Sequence, residues 1–102
     1  MSSDGSFTFS YSWAMESDRF KPADTSIKIT ATATSTGDNK SYNIILYTAD
    51  GTHIKTVTYT ADGTPYSYTF TGLSTSTKYY LKFTKPLGNT TITGSGKISS
   101  IQ

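Results

Sequence analysis

Few side chains in this chain of 102 residues can do acid–base, nucleophilic or metal chemistry: one histidine, seven carboxylates and no cysteine. Lacking cysteine, the protein has no thiolate nucleophile, no disulfide and no thiolate metal site, so a tetrahedral zinc at His53 would need Asp or Glu for its other ligands. The twenty Thr and fifteen Ser put a hydroxyl near almost any point, so a hydroxyl beside His53 identifies no nucleophile. His53 itself follows an Asp50-Gly51 turn signal and reads as a solvated hairpin residue. The carboxylates Asp4, Glu16, Asp18, Asp24, Asp38, Asp50 and Asp62 all fall in the tail, in one crossing loop or at turns. None takes an inward strand position, and glycoside cleavage needs two carboxyls facing each other across a cleft. Glu16, Asp18 and Asp24 share one loop and could gather calcium, although they lack EF-hand spacing; the other reading is solvated loop charge. The expectation is a protein that is no enzyme and holds no cofactor.

A formal net charge of +2, spread along the chain, is too weak and scattered for the basic stripe that nucleic acid demands. No run approaches the roughly 18 apolar residues of a spanning helix, so no membrane insertion is expected. No basic, apolar leader opens the sequence, and any export signal is expected to have been removed. Richness in Thr, Ser, Tyr and Asn, with one Arg and one Glu, is similar in composition to exported bacterial proteins, which points to a secreted or cell-surface place. Asn39-Lys40-Ser41 and Asn89-Thr90-Thr91 match the glycosylation acceptor pattern, as chance allows in a hydroxyl-rich chain. Lys55 alone among the lysines shares parity with apolar neighbours, Val57 and Tyr59, and no carboxylate is placed to assist a lysine–asparagine isopeptide bond.

The elements that must carry any function are strands, because apolar and small polar residues alternate with period two between turn signals. Phe7, Phe9, Tyr11 and Trp13 give an aromatic face to a strand over 6–13, after a disordered tail of residues 1–5. Ile27, Ile29, Ala31 and Ala33 give the next strand a face with room for rings. Between them, 14–25 reads as a crossing loop. The hexapeptide Tyr-Thr-Ala-Asp-Gly-Thr occurs at 47–52 and again at 59–64. With a hairpin at each Asp-Gly, strands over 42–48, 53–60 and 66–71 are expected to form a three-stranded meander. Tyr79, Leu81 and Phe83 set a strand near 78–84. Ile92, Gly94, Gly96 and Ile98 set the last, whose glycines imply a bulge or close packing against a ring.

About seven short strands in one domain of 102 residues predict an all-β, antiparallel Greek-key β-sandwich. Leu73, Thr77, Tyr79, Leu81 and Phe83, led by Phe70-Thr71-Gly72, resemble the tyrosine corner of fibronectin type III and related immunoglobulin-like modules. That resemblance covers residues 70–84 and implies a Tyr79 ring in the core with its hydroxyl on the backbone near Leu73. The family's strand-B tryptophan is absent from 26–34; Trp13 lies in the first strand instead, and no Arg-Gly-Asp triplet is present.

In the immunoglobulin-like order the strands at 42–48 and 78–84 are neighbours, with the last strand beside the latter. Ile45, Tyr47, Lys78, Tyr80 and Lys82 then share an outward face suited to a glycan or a protein. The competing reading is ordinary cross-strand pairing that stiffens a sheet. The functional expectation is a non-enzymatic binding module, monomeric or weakly associating. Two alternatives stay open. One is a fibre, tail or pilus-like unit that pairs through the aromatic first strand or the last strand; the other is a small secreted toxin or bacteriocin-like protein.

Overall fold

The computed structural model describes residues 5–37, 40–86 and 88–101, which form eight antiparallel strands in two facing sheets. They are β1 (Ser6–Tyr11), β2 (Ala14–Glu16), β3 (Ile27–Ser35), β4 (Ser41–Thr48), β5 (His53–Thr60), β6 (Tyr66–Phe70), β7 (Tyr79–Thr84) and β8 (Ile92–Ile98). One sheet has the order β1-β8-β3-β6 and the other β2-β7-β4-β5. The fold is thus an all-β, antiparallel Greek-key sandwich. Among the described residues there is no helix, and so none long and apolar enough to cross a membrane.

In the core of the sandwich β4 pairs with β7, as expected, and β3 pairs with β6, which the expected meander would have placed beside β5. The tyrosine corner forms as well: Tyr79 is buried at the start of β7, and its hydroxyl accepts the Ser74 amide at 3.0 Å, next to buried Leu73. Beyond that core the order departs from expectation. β8 does not lie beside β7 but between β1 and β3, while a short strand inside the expected crossing loop, β2, takes the place beside β7. Eight strands so ordered make two interleaved Greek keys, the jelly-roll form of the sandwich.

Side-chain volume explains where β8 goes. Phe7 and Ala31 flank Gly96 in register, and Phe9 and Ala33 flank Gly94. Each row across the inner face therefore reads ring, nothing, methyl. A Cβ at Gly96 would stand 2.6 Å from Cζ of Phe7 and also strike the carbonyl of Thr30. The rings of β1 lean over bare backbone and reach Phe83 of the opposite sheet, whose centroid lies 5.6 Å from Phe7, 4.9 Å from Phe9 and 6.2 Å from Tyr11. Ile27, Ile29, Tyr42, Ile44, Leu46, Leu81, Ile92 and Ile98 are among the other side chains of this buried interior.

Three further expectations are corrected. The meander does not form: Asp50-Gly51 turns β4 into its hairpin partner β5, but the second copy, at Asp62-Gly63, carries the chain from β5 across to β6 in the other sheet. There the Gly63 amide bonds the Ala33 carbonyl and the Ala61 amide the Lys40 carbonyl, tying the arch to the ends of β3 and β4. Residues 1–4 of the expected tail, and Asn39 of the first acceptor pattern, lie outside the described residues; Gly5, however, is buried and its carbonyl accepts the Ile98 amide at 3.0 Å. Trp13, expected on the aromatic inner face, is 75% exposed. The first strand ends at Tyr11, and the chain steps at Ser12-Trp13 from one sheet to the other, which breaks the alternation that would have turned the indole inward.

Candidate binding surface

Strand alternation sends Tyr42, Ile44 and Leu46 of β4, and Leu81 and Phe83 of β7, into the core. The residues between them necessarily face outward. With the register of β2, β7, β4 and β5, they form three rows across one outer face: Ala14, Thr84, Asn43 and Thr58; then Glu16, Lys82, Ile45 and Thr56; then Tyr80, Tyr47 and His53. The first row is joined by hydrogen bonds, Thr58 Oγ1 donating to Asn43 Oδ1 at 2.8 Å and Asn43 Nδ2 to Thr84 Oγ1 at 3.2 Å. The third is a line of π-systems. The Tyr47 and Tyr80 rings lie nearly parallel with centroids 5.4 Å apart, and His53 meets Tyr47 edge-on at 5.8 Å. On the far side the Arg19 guanidinium covers Tyr80, 4.1 Å from its centroid, and pairs with Glu16 at 3.8 Å.

The five residues expected on this face are therefore neighbours, but they are not equally accessible. Ile45, Tyr47 and Lys82 are half-buried, and Lys78, just before β7, is exposed. Tyr80 points outward, yet only 8% of it is exposed, because Arg19 and Tyr47 sandwich its ring. It supports the surface rather than offering a free ring. His53 is exposed, with Nε2 2.9 Å from Thr56 Oγ1.

The residue that sequence alternation misplaced completes the face. Trp13 precedes Ala14 at the end of the first row, and it lines a shallow depression of about 210 Å³ with Ser12, Lys82, Lys85, Pro86 and Gly88. Lys85 follows β7 directly, and its Nζ donates to the carbonyls of Pro86 at 3.1 Å and Gly88 at 3.2 Å. Among the described residues no carboxylate pairs with Lys82 or Lys85. A sequence signal for this site did exist: the only tryptophan closes an aromatic run immediately before the non-periodic stretch, where a change of sheet frees it from the core.

Elsewhere, a larger cleft of about 640 Å³ opens between the edges of β1 and β2, floored by Phe7, Met15 and Phe83. Glu16 and Asp18 both line it, so a cleft with two carboxylates is present where none was expected, although both come from one short segment and not from facing walls. Among the described residues no three acidic or histidine side chains converge to hold a metal ion. Asp50 and Asp62 serve their turns. Hydroxyl bonds from Thr48 and Thr52 hold the Asp50 carboxyl below its usual range, and the Thr64 amide with the Tyr66 hydroxyl does the same for Asp62. Lys55 is exposed at the edge of the sandwich, with Nζ 5.4 Å from the centroid of Tyr68.

No family model matches the chain, and no curated protein matches it. Among solved structures it is similar to a family two carbohydrate esterase from Cellvibrio japonicus, with a TM-score of 0.50 at 13% identity. The match covers 98% of this chain and 28% of that one, so the chain spans less than a third of the esterase, and at this identity the likeness is one of fold.

Proposed function

We propose that this chain is a non-enzymatic, secreted or surface-displayed module that binds a glycan across the outer face of β2, β7, β4 and β5, anchored on Trp13. The observation that carries this reading is the 75% exposure of the only indole, on the same face as the Tyr80–Tyr47–His53 row. Leaving a tryptophan in water forgoes a large hydrophobic gain, and an exposed ring bordered by polar groups is what a ligand with one apolar face would cover. Thr84, beside Ala14, and Tyr80 are four residues apart on β7. At about 3.3 Å per residue the two aromatic ends are roughly 13 Å apart, enough for a short oligosaccharide. Between them lie Asn43, Lys82 and Ile45, a mix of hydrogen-bonding and apolar groups that suits sugar hydroxyls and C–H faces. The likeness of this fold to part of a carbohydrate esterase chain supports the choice of glycan over protein.

The assembly reading keeps one foothold. β8 is central in its sheet and offers no edge, whereas β1 is an edge strand. The edge of β5 is disturbed by the bulge that follows Leu46 opposite Ile54, the kind of device that blunts edge pairing. Amide-shift mapping of the chain against a panel of cell-wall polysaccharides tests the proposal. Shifts are expected at Trp13, Lys82 and Tyr47. Shifts confined to the cleft between β1 and β2, or a silent panel with a protein that forms rings or filaments, would overturn it.

A further inference from the structure

We infer that the sugar seated on Trp13 carries a carboxylate, so that the ligand is an acidic polysaccharide whose uronic-acid unit is held by Lys82 and Lys85 against the indole. The inference rests on the glycan reading above and deepens it. In a chain where only 16% of residues are charged, two lysines border the one depression that contains the sole tryptophan. Neither has a carboxylate partner among the described residues, and Glu16, which lies opposite Lys82 in the β2–β7 register, is engaged by Arg19. Among the described residues, then, neither ammonium is neutralised by an ion pair.

The two ammonium groups are also placed differently in a useful way. Lys82 rises from the middle of β7, fixed by strand pairing on both sides. Lys85 is held by the Pro86 and Gly88 carbonyls, which occupy two of its three donors and leave the third for a ligand. A lysine already restrained loses less freedom on binding than one that is solvated and mobile. An indole with cations at its border asks for a ligand that is apolar on one face and anionic at its rim. A pyranose uronate meets both demands in one unit. A polyol phosphate chain carries the charge but has no flat C–H face to cover the ring.

Trp13 is the only tryptophan, so its emission reports this site directly. The full chain is titrated with galacturonate, glucuronate and mannuronate–guluronate oligosaccharides, with their methyl esters, with neutral β-glucan oligosaccharides and with a polyglycerol phosphate. The expected result is a saturable emission change with a uronate oligosaccharide, weaker by about tenfold with its ester and weakened by salt, as partly exposed charge contacts are. Lys82→Gln with Lys85→Gln should lower uronate affinity by about tenfold, the scale of two solvent-bordered charged contacts, at an unchanged melting temperature. Equal response to acid and ester, or an unaltered double variant, overturns the carboxylate while the glycan reading stands. Emission that answers to polyglycerol phosphate alone, or to nothing, overturns both.

Discussion

The ring of Phe7 lies over Gly96, its Cζ 2.6 Å from where a side chain would begin. This contact fixes the position of the last strand. A strand with a side chain there could not sit between the aromatic β1 and the alanine face of β3, and the jelly-roll order depends on that fit.

Gly96→Ala should accordingly destabilise the fold by about 1–3 kcal/mol or more, because the added methyl meets both a packed ring and a backbone carbonyl. Urea unfolding followed by tyrosine fluorescence measures it. An unchanged midpoint would mean that β8 does not lie under Phe7.

Two buried tyrosines should respond differently to the loss of a hydroxyl. Tyr79 accepts the Ser74 amide, so Tyr79→Phe should cost about 1 kcal/mol. Tyr42 is fully buried and its hydroxyl has no hydrogen-bond partner among the described residues. Tyr42→Phe removes an unsatisfied polar group and should leave stability unchanged or raise it by about 1 kcal/mol. Calorimetry of the two variants side by side decides whether the corner and the core are as described.

Stability should fall steeply in alkali. Burial pushes the Tyr59 phenol, which donates to the Ile29 carbonyl at 2.6 Å, up to about 12, and burial raises Tyr11 and Tyr42 as well. Unfolded tyrosine ionises near pH 10, so above about pH 10 the unfolded chain sheds protons that the folded chain retains, and stability is lost as pH rises towards the folded values. It is fully present below about pH 10. Phenolate absorbance should rise together with unfolding between about pH 10 and 12, in a cooperative step. Ionisation of Tyr11, Tyr42 and Tyr59 near pH 10 with the fold intact would contradict their burial.

Alternation made the strands and the inward faces of β3, β4 and β7 legible, since each of these strands has one face in the core and a one-residue slip would invert it. What local pattern could not supply was the partner of each strand. The two copies of Tyr-Thr-Ala-Asp-Gly-Thr show why. Asp-Gly sets a turn in both, with positive φ at Gly51 and Gly63, but a hairpin follows one and an arch between sheets the other. The choice is made by distant contacts, here Ala33 and Lys40. The place of β8 was latent in the match of Gly94 and Gly96 to Phe7, Phe9, Ala31 and Ala33, a pattern spread over ninety residues of chain separation or less and visible only once the register is known. On the candidate surface, the outward parity of Ile45, Tyr47, Lys78, Tyr80 and Lys82 followed from the strands. The cover that Arg19 places over Tyr80 did not, nor did the freeing of Trp13 by a change of sheet.

The indole at the end of the first row anchors the proposed binding face. Trp13→Ala removes a side chain that is 75% exposed, so its effect on unfolding free energy should stay within about 0.5 kcal/mol. Migration of the variant through native gels cast with and without a polysaccharide that retards the unaltered chain is the measurement. Retardation is expected to disappear while the melting temperature stays where it was; equal retardation of the two proteins would overturn the binding role of Trp13.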